Sequence, residues 1–267
     1  MTMSLTKPTT ESLQAAGSGS APRSAGAWSL VRQGELRALW RAARRRLTDP
    51  DAATIDRWYR EGGEETLRLD YPLTPESVVF DVGGYRGDFA ANMAARYHAR
   101  VYVFEPVPQF FDFLRQRFAG NPKITVLNYG LAETDAHGFM VLSDSGSSLY
   151  RPGEATAPVH LRDIARAVQD LEVPRIDLMK VNIEAGEYTL LPRMIEKGIH
   201  VLCHDLQIQF HRFYPNAARL REEIRDRLRP THFLTYDYPF IWENWRKKLP
   251  PLDELDPANP AMLRRRH

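Results

Sequence analysis

The chain has a single cysteine, Cys203. That scarcity excludes an intrachain disulfide and any cysteine-based metal cluster, and in the apolar run "HVLCHDL" the thiol reads as a small core residue. Long hydrophobic runs are also missing. No stretch approaches the roughly 20 apolar residues of a membrane span, and the opening "MTMSLTKPTTESLQAAGSGSAPRSAGA" lacks the uninterrupted apolar segment of a secretory signal. The cytoplasm is the expected compartment. An excess of one charge is absent as well: 36 Lys and Arg stand against 34 Asp and Glu, a net charge of +2. That balance is too mild to indicate nucleic acid, and no nucleic-acid partner is expected.

What is present is a globular composition. Of 267 residues, 43% are hydrophobic and 26% charged, enough to bury the core of one large α/β domain with extensions. Residues 1–26, rich in Ser, Thr, Ala, Gly and Pro and without periodicity, read as a disordered tail. A helical extension is expected over 27–70. Its first helix, "WSLVRQGELRALWRAARRRL", interleaves Trp28, Val31, Leu36, Leu39, Trp40 and Leu47 with arginines, and its second, "DAATIDRWYREGG", ends at Gly62-Gly63. The preferred reading packs the apolar stripe of residues 28–47 on the domain; contact with an anionic membrane or a phosphorylated substrate is the alternative. Residues 250–267 read as a second tail.

Between residues 71 and 249, short β-rich runs alternate with helical segments. "VVFDVGG", "RVYVFEP", "ITVLNYGL", "IDLMKVN" and "VLCHDLQIQF" read as strands, and "DFAANMAARY", "PQFFDFLRQRF" and "EYTLLPRMIEKG" as helices. Strands apolar on both faces, separated by amphipathic helices, predict a doubly wound parallel sheet. After helix "NAARLREEIRDRL", the runs "THFLTYDYP" and "FIWENWRKK" predict an antiparallel pair joined near Pro239, because a parallel connection would need a crossover. The segment "GFMVLSDSGSSLYRPGEATAPVH" predicts a strand and a Ser/Gly-rich loop, followed by helix "LRDIARAVQDL".

Ligands of such sheets bind beyond the carboxyl ends of the strands. At the first strand's end lie Asp81, Gly83, Gly84, Tyr85 and Gly87. Gly83 and Gly84 let a backbone approach a ligand, and the following helix offers unpaired N–H groups. Tyr85 occupies the second glycine's place of G-x-G-x-x-G, which weakens a dinucleotide reading. The second strand ends in Glu105, roughly two dozen residues on, where a carboxylate can accept both hydroxyls of a ribose. Asp81 would orient the loop or meet an amino group of the cofactor.

Five ordered motifs, "DVGGYRG", "FEP", "NYGLAETD", "GSSLY" and "KVNIEAGE", resemble those of the FkbM-type S-adenosylmethionine-dependent methyltransferases. That family's pattern is D-x-G-A-N-x-G, F-E-P, N-x-A-L-S-D, Gly/Ser-Ser-Leu and K-I-D-V-E-G-x-E. The resemblance spans about residues 76–210. Tyr85 stands for the usual Asn, Asn182 for the usual Asp, and Ala185 for the usual Gly. The amide of Asn182 can still accept and donate hydrogen bonds. The resemblance implies a Rossmann-like fold, mostly parallel with an antiparallel C-terminal edge, and S-adenosylmethionine as cofactor. It also implies methyl transfer to a hydroxyl of a sugar, glycoconjugate or other natural product, a small-molecule or glycan acceptor. The expected cofactor contacts are Asp81, Gly83, Gly84, Tyr85, Gly87, Glu105 and Asn182.

A protonated hydroxyl is a poor nucleophile, so a general base is expected. His211, directly after "LQIQF", is the first candidate because imidazole titrates near neutrality; its alternative is a structural histidine among Phe210, Phe213 and Tyr214. His204 and Asp205 read as hydrogen-bonded strand residues. Lys180 is expected to pair with a glutamate while Glu184 or Glu187 binds a substrate hydroxyl, although acidic residues at a helix start are also explained by the dipole alone. No ligand spacing is diagnostic of a metal, and none is expected. Tyr236, Tyr238, Trp242 and Trp245 could stack on sugar rings or fill the core, and residues 143–150 could form a lid. Two rival readings remain: an NAD-dependent oxidoreductase, and a catalytically silent methyltransferase-like binding domain.

Overall fold

The computed structural model describes residues 49–141 and 156–249. The chain divides into two compact units at residues 1–50 and 51–267, and every element below belongs to the second. The basic run 28–47, the segment 143–150 and both expected tails lie outside the described residues.

The central sheet follows from strands that are apolar on both faces. β1 (Val78–Val82) is buried at every position and pairs in parallel with β2 (Arg100–Phe104) on one side and β7 (Ile176–Val181) on the other. β3 (Ile124–Leu127) extends the sheet beyond β2, and β8 (Cys203–Ile208) extends it beyond β7. Sheet order is β3-β2-β1-β7-β8-β10-β9, so strand order reverses between β1 and β7, where doubly wound sheets bind ligands. β9 (His232–Tyr238) and β10 (Trp242–Lys247) form the expected antiparallel pair, with β10 antiparallel to both neighbours.

Period-two alternation divides the core into two layers. Val79, Val101, Val103 and Leu178 meet Phe89 and Met93 of α2 (Asp88–Tyr97) and Leu114 of α3 (Pro108–Arg117). Phe80, Phe104, Met179 and Leu206 turn the other way, toward α4 (Ile164–Asp170), α5 (Glu187–Glu196) and α6 (Ala217–Leu228). α1 (Ala52–Arg60) belongs to this same unit. Its Trp58 is buried against Tyr238 at 4.9 Å between ring centroids and clusters with Trp242, so the boundary expected at residue 70 falls inside the compact unit.

Two sequence expectations differ from the structure. "ITVLNYGL" is not one strand: after β3 the chain breaks at Asn128-Tyr129 and resumes as β4 (Gly130–Ala132) in a second, three-stranded sheet of order β4-β6-β5. "LRD" is strand and not helix, closing β6 (Thr156–Asp163), which pairs with β5 (Ala136–Val141) antiparallel and with β4 parallel. α4 starts only after Asp163, whose carboxylate accepts from the N–H groups of Ala165 and Arg166 as an N-cap.

Candidate active site

The loop after β1 is tied to β7 by a buried ion pair. Lys180 Nζ donates to Asp81 Oδ1 at 2.9 Å and to the Gly83 carbonyl at 2.6 Å, and the two residues are 4% and 0% exposed. Lys180 therefore pairs with Asp81 and not with a glutamate, because residues opposite each other on β1 and β7 share a face. The ion pair gives Asp81 the loop-orienting role expected of it, while its second oxygen, Oδ2, is buried with no hydrogen-bond partner among the described residues. Gly83, at φ +87, brings the loop so close to β7 that a Cβ would lie 2.0 Å from the Asn182 carbonyl oxygen. Gly84 and Gly87 do not line the cleft; a Cβ there would strike Val103 at 2.3 Å or Leu114 at 2.6 Å, so both are packing positions. Tyr85 does line it, its ring edge-on to Phe110 at 4.9 Å.

Glu105 is pinned by two backbone donors. Tyr85 N–H reaches Oε2 at 2.8 Å and Val107 N–H reaches Oε1 at 3.0 Å, leaving each oxygen one acceptor site for a hydroxyl. Burial, only partly offset by those two donors, pushes its pKa up to about 7.

Beyond β7 the chain turns sharply. Asn182 continues the ladder by donating to the Val82 carbonyl at 3.0 Å, and its side-chain Oδ1 is buried with no hydrogen-bond partner among the described residues. Glu184 and Ala185 then adopt φ +50 and +84. Glu187, the first residue of α5, points inward and is 0% exposed. Its carboxylate accepts from Ala185 N–H at 3.0 Å, His211 N–H at 2.8 Å and His211 Nδ1 at 2.9 Å. His211 Nε2 lies 3.3 Å from Glu184 Oε1.

This arrangement corrects two expectations. Burial alone would depress the His211 pKa, yet the hydrogen bonds and charges of Glu184 and Glu187 outweigh it and carry it up to about 9, which favours the charged ring over a free base. Glu187 is consumed by internal bonds, which leaves Glu184 as the glutamate that lines the cleft.

The cleft opens at the carboxyl ends of β1, β2 and β7, and collects Gly83, Tyr85, Glu105, Asn182 and Glu184. Its opposite wall was not foreseen: Leu131, Glu133 and Thr134 follow or belong to β4, Met140 comes from β5 and Leu161 from β6. The run "NYGLAETD" carried that signal. The hairpin aromatics are core: Tyr238, Trp242 and Trp245 are buried, and Tyr236 bonds Tyr71. His204 and Asp205 bond each other at 2.8 Å, and Asp205 also holds Asn244 and Arg246.

A doubly wound sheet with a glycine-walled cleft at its switch point and a pinned acidic residue after the second strand defines a Rossmann-like protein of the methyltransferase class. The family model described as the Methyltransferase FkbM domain matches residues 81–238, and the chain belongs to that family.

No curated protein matches the chain. Among solved structures it is similar to a methyltransferase FkbM from Methylobacillus flagellatus KT, with 15% identity over 66% of this chain and 44% of that one and a TM-score of 0.46. The chain thus spans less than half of that protein's length. It is also similar to an rRNA methylase from Streptococcus thermophilus (17% identity, 66% of this chain, 89% of that one, TM-score 0.40). A third is a fibrillarin pre-rRNA processing protein from Methanococcus jannaschii (12%, 67% and 69%, TM-score 0.40). The exclusion of nucleic acid is withdrawn, because the solved structures similar to the chain include ones described as an rRNA methylase and a pre-rRNA processing protein. Among the described residues no helix is long and apolar enough to cross a membrane.

Proposed function

We propose that the chain is an S-adenosylmethionine-dependent O-methyltransferase acting on a hydroxyl of a sugar, glycoconjugate or related natural product. The observation that carries this reading is Glu105, buried, held by two backbone donors and open to further hydrogen bonds within the cleft. The donor set fits a nucleoside. Glu105 would take ribose hydroxyls, the orphaned Asn182 Oδ1 would accept one further N–H or O–H, and Phe110, Leu131 and Met140 would flank a flat base. Bound there, S-adenosylmethionine supplies an electrophilic methyl group. The chain's own part is positioning: Gly83 lets the loop lie against β7, Tyr85 and Phe110 close the side of the cleft, and the Lys180–Asp81 pair fixes the loop. The family membership disfavours the oxidoreductase reading.

Isothermal titration of the full chain with S-adenosylmethionine, S-adenosylhomocysteine and NAD tests the cofactor, with selective binding of the first two expected. Incubation with methyl-labelled cofactor and either a neutral oligosaccharide and glycolipid fraction or total RNA tests the acceptor. Label on RNA alone, or on neither, would overturn the hydroxyl-bearing glycan reading.

A further inference from the structure

The turn Glu184-Ala185 and the end of β8 meet in a chain of ionisable groups that reaches from the core to the cleft. Glu187 stands at the inner end, fully buried, with both oxygens engaged. His211 stands in the middle, with Nδ1 on Glu187 at 2.9 Å and Nε2 facing Glu184 at 3.3 Å. Glu184 stands at the outer end and lines the cleft. The two carboxylates therefore address opposite nitrogens of one ring. Both contacts are attractive at once only if both nitrogens carry hydrogen, since a neutral imidazole has one donor nitrogen. Ala185 N–H lies 3.4 Å from Nδ1 but makes its shorter bond, 3.0 Å, to Glu187 Oε2, which leaves Nδ1 free to donate to Glu187. Around the ring, Tyr188 donates to the His211 carbonyl at 2.9 Å, Phe213 packs on the ring at 5.6 Å, and Arg212 is paired with Asp51. Glu184 is also held in a left-handed backbone, φ +50, next to a second such residue, a strain that persists only where the surroundings fix it.

We propose, resting on the methyltransferase reading above, that Glu184 binds the acceptor hydroxyl and takes its proton, and that His211 is a positioning residue, an imidazolium clamped between Glu187 and Glu184. The acceptor's O–H bond breaks, the proton goes to a Glu184 carboxylate oxygen, and the electron pair stays on the acceptor oxygen for its new bond to the methyl carbon, whose bond to the donor's sulfonium sulfur would break with its electron pair left on sulfur as the neutral thioether. An oxygen undergoing alkylation becomes far more acidic than a carboxylic acid, so a carboxylate is basic enough for the task. The base role thereby passes from His211, its first candidate from sequence, to Glu184, which keeps the hydroxyl-binding role expected of it or Glu187.

Nitrogen-15 NMR of the full chain labelled at histidine, with His211 assigned by the H211N variant, reads the ring directly. Both nitrogens protonated at pH 8, with loss of one proton only near pH 9, is the expected result; a neutral ring at pH 8 would overturn the proposal. Methyl transfer to the oligosaccharide and glycolipid fraction gives the second readout. E184Q should lower turnover about 100-fold or more while S-adenosylhomocysteine affinity stays within about threefold. Wild-type turnover should fall above pH 9 and H211N should lack that limb, whereas an imidazole base would make turnover rise with pH through its own titration. Turnover of E184Q within about threefold of wild type also sinks the assignment. Failure of the wild-type chain to bind S-adenosylhomocysteine is a separate outcome, which strikes the cofactor reading and leaves the state of the ring to be read by NMR.

Discussion

At single residues, two of the three departures from the family pattern, Ala185 and Tyr85, fall where the backbone is left-handed. Ala185, in the place of the family's usual glycine, has φ +84, and Tyr85, in the place of its usual asparagine, has φ +49. Glycine adopts that region without a Cβ clash, and asparagine tolerates it better than most residues. The family pattern at these two positions thus meets a backbone requirement, whatever the side chain at position 85 also contributes to the cleft. Tyr85 offsets its strain by packing on Phe110; Ala185 is buried without such compensation. The A185G variant should accordingly be more stable by up to about 1 kcal/mol, the relief of strain being partly cancelled by the greater entropy of the unfolded chain. Urea unfolding monitored by tryptophan fluorescence measures it, and a lower midpoint would refute the strain argument.

Between elements, the Lys180–Asp81 pair joins β7 to the end of β1 out of reach of solvent. Removing the lysine strands a buried carboxylate, so K180M should cost about 3–5 kcal/mol, and the double variant D81N/K180M should recover part of that loss. Equal losses in denaturant midpoint for the single and double variants would contradict it. The elements themselves were legible in the sequence. α2, α3 and α5 lie where the helical periodicity put them, and the turn near Pro239 joins an antiparallel pair as its length demanded. The glycine loop and Glu105 were readable as one edge of a site because doubly wound sheets place ligands there. Pairing was not readable: Lys180 next to Asp81, and Glu187 next to His211, join residues far apart in sequence whose side chains meet only once register is set. The break at Asn128-Tyr129 was hidden because "ITVLNYGL" is strand-like throughout, and sheet membership is decided by tertiary partners.

Over the whole molecule, the buried titratable groups set a pH window for stability. His211 has its pKa raised to about 9 in the fold, so its contribution, on the order of 3 kcal/mol, is fully present below pH 6.5 and lost as pH rises through 9. His232 has its pKa lowered to about 4, chiefly by burial; its neutral form is enforced by the fold, so stability falls as pH drops from 6.5 to 4. Glu105, raised to about 7 by burial, withdraws stability as pH rises from 4.5 to 7 and roughly cancels the gain from His232 over that range. Scanning fluorimetry should therefore show a flat Tm between about pH 4.5 and 6.5, with a decline on either side. In E105Q the plateau should become a rising slope, and an unchanged plateau would show that Glu105 does not titrate as its burial implies. The window belongs to the molecule, whereas the cleft belongs to the junction of its two sheets. One wall is cut from the seven-stranded sheet and the other from the three-stranded one, and among the described residues no ladder hydrogen bond joins them. The cleft is a seam closed by side chains instead, with Leu131 of β4 packed into the main core and Asp163 at the end of β6 clasped by Arg193 of α5, so its width is set by packing and one ion pair and not by strand pairing.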